Sequence, residues 1–89
     1  MRRIELDGRT MDSRDALHRH LMEAFNFAED YGRNLDALHD SLGELKDVQV
    51  TLRYEQAMLN ALGVYGQRLL SVFLHAAASR DDFRFSSLD

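Results

Sequence analysis

Residues 48–54 read Val-Gln-Val-Thr-Leu-Arg-Tyr, and this stretch decides the fold class of the chain. Apolar or aromatic side chains stand at positions 48, 50, 52 and 54, and polar ones stand at 49, 51 and 53. Successive side chains of a strand point to opposite faces of a sheet, whereas those of a helix repeat every 3.6 residues. The alternation therefore predicts a strand over 48–54 with one buried face, and it is incompatible with a helix.

Two shorter stretches near the ends of the chain alternate in the same way. Ile4 and Leu6 alternate with charged residues before an Asp-Gly pair that favours a turn, so a strand is predicted over residues 2–7. Phe83 and Phe85 alternate with charged residues and predict a terminal strand. Each of the three predicted strands thus has one apolar face.

Four helices are predicted between these strands from apolar repeats of three or four residues and from capping signals. Asn34 can cap the second helix, whose inward stripe is Leu35, Leu38 and Leu42. Glycine following a helical repeat favours a helix end. The predicted helices run from an N-cap at Ser13 to about Phe25, from Asn34 to Gly43, from Glu55 to Leu62 before Gly63, and up to about Ser79.

The order β-α-α-β-α-α-β predicts an α/β fold in which three parallel strands are joined by helical crossovers. Because all three strands alternate, we expect the helices mainly on one face of the sheet, which gives two layers. With 89 residues, the chain has room for one core, so residues 1–89 are predicted to form a single domain.

Composition limits the class of protein. The chain contains no cysteine, which excludes a disulfide framework and a cysteine nucleophile. Its residues are 45% hydrophobic and 29% charged, typical of a globular protein, and no apolar stretch is long enough for a membrane span. We therefore expect a cytoplasmic protein that does not bind membranes.

The negative charge is concentrated in residues 29–47. This window holds six acidic residues against two basic ones, whereas the rest of the chain holds nine of each, so the window carries the whole net charge of −4. Nucleic-acid binding needs a basic surface, so no nucleic-acid partner is expected. The window indicates either a cationic partner or a plain solvated face.

Catalytic and metal sites find little support in the spacing of the residues. His39, His75, Asp36 and Asp40 could be drawn together as a metal or hydrolytic centre, but no paired ligand spacing or known catalytic motif is present. The phenylalanines fall at helix or strand spacing and are predicted core residues, while Tyr31 stands in an irregular segment. We predict no catalytic residue, no metal and no cofactor.

One segment of the chain carries a motif that is specific for a protein family. Residues 31–42 read Tyr-Gly-Arg-Asn-Leu-Asp-Ala-Leu-His-Asp-Ser-Leu, which resembles the signature of the barstar family, intracellular inhibitors of the ribonuclease barnase. The resemblance extends over nearly the whole chain, including the strand at 48–54 and the terminal strand. It implies a two-layer α/β fold with a three-stranded parallel sheet and four helices, the same fold that the residue pattern predicts.

The resemblance also implies a function, namely inhibition of a basic microbial ribonuclease by a protein that is not an enzyme. In such an inhibitor an acidic helix and its preceding loop cover the active site, with Asp40 in place of the scissile phosphate and Asp36 as a supporting acid. The free chain is expected to be a monomer. The alternative is a barstar-like antitoxin or regulator of another basic protein. The predicted partner-binding residues are Asp30, Tyr31, Gly32, Asn34, Leu35, Asp36, His39, Asp40, Glu44 and His75.

Three of these positions depart from the family pattern. His39 stands where the family usually has tryptophan, Asp30 where it has tyrosine, and His75 where it has a peripheral glutamate. The loss of aromatic side chains reduces the apolar area of the expected interface with the ribonuclease, and Asp30 adds a negative charge to that interface. The cognate enzyme is therefore expected to differ from barnase.

Overall fold

The sheet has three parallel strands in the order β1-β2-β3, in a computed structural model that describes residues 1–88. Its strands are β1 (Arg2–Asp7), β2 (Val48–Arg53) and β3 (Phe83–Leu88). Four helices connect them in pairs: α1 (Arg14–Phe25) and α2 (Leu35–Glu44) between β1 and β2, then α3 (Glu55–Leu62) and α4 (Val64–Ser79) between β2 and β3. The predicted α/β order is confirmed.

The helices cover one face of the sheet, as the alternating pattern predicts. In register, Ile4 of β1 pairs with Val50 of β2, which pairs with Phe85 of β3. These apolar side chains lie against the core, whereas Glu5 and Arg84 on the opposite face are exposed. The sheet and its helical cover thus form two layers.

The start of β2 is predicted correctly and its end is not. The strand ends at Arg53, and Tyr54 instead precedes α3 with a left-handed backbone, φ 58°. Its ring is exposed and lies under the guanidinium of Arg9, whose Cζ is 3.9 Å from the ring centroid. Only a glycine at position 8 leaves room for this turn, since a Cβ at Gly8 would lie 2.2 Å from the carbonyl oxygen of Tyr54.

The predicted end of α2 at Gly43 is also wrong. The helix passes through Gly43 and ends at Glu44, because Arg80 supplies donors to its last turn. Nη1 of Arg80 donates to the carbonyl of Leu42 at 2.7 Å, and Nη2 donates to the carbonyl of Leu45. A side chain after α4 thus satisfies carbonyl groups that a glycine cap would otherwise serve.

None of the four helices combines the length and the apolar character needed to cross a bilayer, within residues 1–88.

Candidate functional site

The loop between α1 and α2, residues 26–34, is fixed at both of its ends. Asn26 ends α1 in the left-handed conformation that asparagine tolerates, φ 60°. Asn34 caps α2, since its Oδ1 accepts from the backbone N–H of Ala37 at 2.7 Å. Its Nδ2 also donates to the carbonyl of Gly32 at 3.3 Å. Asn34 therefore holds the loop against the start of the helix.

Gly32 and Arg33 turn the chain into α2. A Cβ at Gly32 would lie 3.1 Å from the Cβ of Ala37, so the loop approaches the helix as closely as a glycine allows. Arg33 has φ 53°, a left-handed conformation that costs a non-glycine residue about 1–2 kcal/mol. The surrounding contacts must hold this turn in place.

Tyr31 anchors the loop from beneath. Its side chain is only 8% exposed, and its hydroxyl lies 2.8 Å from Nδ1 of His18, which is buried in α1. Nε2 of His18 lies 2.6 Å from the hydroxyl of Tyr65 in α4. A neutral imidazole donates from one ring nitrogen and accepts at the other, so both tyrosines satisfy it. The three side chains tie the loop to two helices.

Burial keeps the side chains of His18, Tyr31 and Tyr65, called the triad below, uncharged. It lowers the pKa of His18 below its ordinary value; Asp15 opposes this shift and Arg33 adds to it. Burial raises the pKa of Tyr31 and of Tyr65. The imidazole and both phenols are therefore uncharged at neutral pH, as hydrogen-bonded groups in a core should be.

Three predicted acids border one groove between the loop and α2. This groove has a volume of about 550 Å³, and its walls include Asp30 from the loop and Asp40 and Glu44 from α2. All three residues are exposed, and the side chain of Asp40 is 86% exposed. The helix repeat accounts for the placement, because positions 40 and 44 are four apart and share a face.

These carboxylates have few ion-pair partners. Within residues 1–88, neither Asp30 nor Glu44 lies within 4 Å of a basic nitrogen, and Asp40 approaches only Nδ1 of His39, at 3.6 Å. An exposed pair of this kind is worth at most about 1 kcal/mol. The groove therefore carries a net negative charge, three carboxylates against the guanidinium of Arg2, which suits recognition of a cationic surface.

Asp36 lies apart from this groove. Together with Leu35 it borders a second depression, which also includes Arg14, Arg33 and Arg68. Leu35 is half-buried and packs against the core. Although Asp36 and Asp40 are one helical turn apart, they line different depressions, and the one beside Asp36 contains three arginines, so the two acids have different surroundings.

The two histidines of the predicted site lie together at a third depression, between α2 and α4. His39 on α2 and His75 on α4 have ring centroids 6.4 Å apart, and both line a groove between the helices. Both side chains are exposed. The predicted partner-binding residues thus line three neighbouring depressions along α2, and Tyr31 lines the acidic groove although most of its surface is buried.

Among the lining residues of the acidic groove that lie outside the predicted set, Arg2 is the basic one. Arg2 of β1 lines the groove, and its Nη2 donates to the carbonyl of Phe25 at 3.1 Å. This hydrogen bond joins residues 23 positions apart, and no local pattern in the sequence indicates it. The guanidinium adds one positive charge to a groove whose other charged lining residues are Asp30, Asp40 and Glu44.

Comparisons with known proteins identify the family of this chain. The family model described as Barstar (barnase inhibitor) matches residues 1–87. The Bacillus subtilis (strain 168) protein named "Putative ribonuclease inhibitor YrdF" is 36% identical over 87 residues, covering 94% of this chain and 96% of that protein. Fold, capped acidic helix and sequence match agree, and the chain belongs to the barstar family.

Proposed function

We propose that this chain inhibits a barnase-type microbial ribonuclease by covering its active site with α2 and the loop 26–34. Family membership and the name of the Bacillus subtilis relative support an inhibitor rather than an enzyme. The proposed partner is a basic protein, not a nucleic acid or a membrane. The chain would act in the cytoplasm as a monomer and serve as an antitoxin against the enzyme.

The exposure of Asp40 is the observation that carries this proposal. Its carboxylate is 86% exposed on the outer face of α2, and it borders a groove shared with two further acids. A ribonuclease active site is cationic because it must hold a phosphate group. A rigidly placed carboxylate can take the position of that phosphate and accept hydrogen bonds from cationic donors. Asp40 is therefore the proposed phosphate mimic.

The other acids act mainly through the electric field. Asp30 and Glu44 are exposed on the two sides of the same groove, so they attract a basic surface before contact is made. Asp36, in the neighbouring depression, is proposed to pair with a basic residue at the edge of the enzyme's site. Its closeness to several arginines makes its contribution smaller than that of Asp40.

The uncharged residues of the proposed surface shape it. Gly32 and Asn34 fix the loop against α2, and Tyr31 holds it from below through His18. Leu35 supplies apolar area beside Asp36, whereas His39 and His75 extend the surface toward α4. The contact would thus consist of an acidic centre on a preformed backbone, which limits the ordering cost of binding.

An RNA-cleavage assay tests this function. Excess wild-type protein should abolish cleavage by a co-encoded or related microbial ribonuclease, and Asp40→Ala should inhibit much less. Glu23→Ala provides a matched control, because Glu23 is an exposed acid on α1 outside the acidic window. The proposal fails if several such enzymes cleave RNA at full rate in the presence of excess wild-type protein.

A second candidate is a barstar-like antitoxin or regulator that binds a different basic protein. The observation favouring it is that three contact positions, Asp30, His39 and His75, depart from the family pattern. The fold and the acidic groove would serve such a partner equally well. A pull-down in which the stable partner lacks ribonuclease activity would favour this second function.

A further inference from the structure

His39 and His75 are 36 positions apart in sequence, yet α2 and α4 bring their side chains together. The ring centroids are separated by 6.4 Å, and the ring planes are inclined by 33°. Both imidazoles face solvent at the mouth of one groove, so their nitrogens are accessible to a small ligand. Imidazole is the protein ligand that Zn²⁺, Cu²⁺ and Ni²⁺ favour.

From this juxtaposition we propose that His39 and His75 together bind one divalent transition-metal ion across the groove between α2 and α4. Two imidazole nitrogens would coordinate the ion and water molecules would complete its coordination. The two histidines line a different groove from the acidic one, which adjoins it through Asp40. Within residues 1–88 no set of three or more acidic or histidine side chains is gathered as metal ligands, so the proposal is a two-histidine site.

The separation of the rings is close to what a shared ion requires. With Zn–N bonds of about 2.0–2.1 Å, two imidazoles on a tetrahedral ion have ring centroids about 5 Å apart. The gap of 6.4 Å is therefore about 1 Å too wide. Exposed side chains change rotamer at little cost, and a small rotation of both rings closes that difference.

The surroundings of the pair favour a cation on balance. The Asp40 carboxylate lies 3.6 Å from Nδ1 of His39 and adds a negative charge beside the pair. Arg80 also lines the groove, but its guanidinium donates to the carbonyls of Leu42 and Leu45 and to Asp82. The positive charge of Arg80 is thus directed into the protein and is partly neutralised.

The backbone that carries the two histidines is held firmly. Those contacts of Arg80 join the end of α2 to the segment after α4, and the helices also pack through Leu42 and Val72 beside the groove. Because the helices are fixed, binding of one imidazole places the second near the ion at high effective concentration. Such an arrangement strengthens binding by about 10²-fold or more over a single imidazole.

Zinc titration of the free protein tests the proposal, and it does not depend on any ribonuclease. Calorimetry with ZnCl₂ should show one saturable site per chain, and the imidazole NMR signals of His39 and His75 should shift while those of His18 do not. His39→Gln and His75→Gln should each weaken zinc binding by about 10²-fold. His20→Gln, the matched control, should bind zinc as the wild type does.

Melting curves without zinc confirm that each variant is folded, which the exposed positions of His39 and His75 allow, and for half-buried His20 the side-chain oxygen of glutamine can still accept from the backbone N–H of Asp7. Zinc should also raise the melting temperature of the wild type and lose that effect in the two histidine variants. The proposal is overturned if the wild type binds no zinc, if both single variants bind it as tightly as the wild type, or if zinc shifts the signals of His20 instead.

Discussion

The hydroxyl of Tyr31 offers a direct test of how the loop is held, through the substitution Tyr31→Phe. The change keeps the ring, whose centroid lies 4.9 Å from that of Phe27, so apolar packing is preserved. It removes only the oxygen 2.8 Å from Nδ1 of His18, a residue that is 1% exposed. One nitrogen of a buried imidazole is then left without a partner.

The cost follows from that unsatisfied nitrogen. Leaving a buried polar group unpaired costs about 1–3 kcal/mol, whereas loss of an exposed hydrogen bond costs much less. In a domain of this size, such a change lowers the melting temperature by about 5 to 20 °C. Tyr65→Phe removes the partner of the other imidazole nitrogen and should have an effect of similar size.

Urea unfolding at pH 7.5, followed by circular dichroism, measures this change. The midpoint should fall while the slope of the free energy of unfolding against urea stays constant, because the same surface is exposed on unfolding. Tyr54→Phe is the matched control, since Tyr54 is 36% exposed, and its stability should change by less than about 0.5 kcal/mol. If Tyr31→Phe unfolds at the same urea concentration as the wild type, the anchoring role of the triad is refuted.

The remaining predictions concern pH, the core and a close approach. Because the pKa of His18 is lowered in the folded state, the imidazole of the unfolded chain is protonated at a higher pH than that of the folded chain. The free energy of unfolding, measured in urea between pH 8 and 5, should therefore fall as the pH drops below about 6.5. A flat profile across that range would contradict the burial of a neutral imidazole. Leu38→Ala should cost about 2–5 kcal/mol and Asp40→Ala less than about 0.5 kcal/mol, and thermal melts ranking them the other way would refute the orientation of α2. Gly8→Ala should cost about 1–3 kcal/mol in the same melts, since the new Cβ meets the carbonyl of Tyr54, and an unchanged melting temperature would show that this contact relaxes freely.

Local patterns were sufficient to predict the fold. Alternation of apolar residues at 2–7 and 48–54 predicted two strands, and the capping residue Asn34 predicted the start of α2. Each of these signals acts within a few residues of chain. The errors at Tyr54 and Gly43 arose where a distant group decides the backbone, because neither the approach of one turn to another nor an arginine cap has a local signature.

The candidate site was predictable in composition and not in arrangement. The family resemblance and the acidic window together indicated Asp30, Asp40 and Glu44, and the structure places all three at one groove. The buried position of His18 depends on partners 13 and 47 residues away. Its sequence neighbours are ordinary helix residues, so only the packed structure reveals this contact. The rings of His39 and His75 likewise come together only because α2 and α4 pack side by side, which the sequence around either residue does not indicate.

The central claim is that Asp40 substitutes for a phosphate, and binding kinetics with the inhibited ribonuclease test it most directly. Asp40→Ala should weaken binding by about 2–5 kcal/mol, roughly 30- to 4,000-fold, mainly through faster dissociation. Glu44→Ala should mainly slow association, and its effect should fade as added salt shortens the Debye length from about 10 Å at 0.1 M to about 3 Å at 1 M. If Asp40→Ala loses no more affinity than Glu44→Ala, the phosphate-mimic mechanism is wrong, even if the protein inhibits the enzyme.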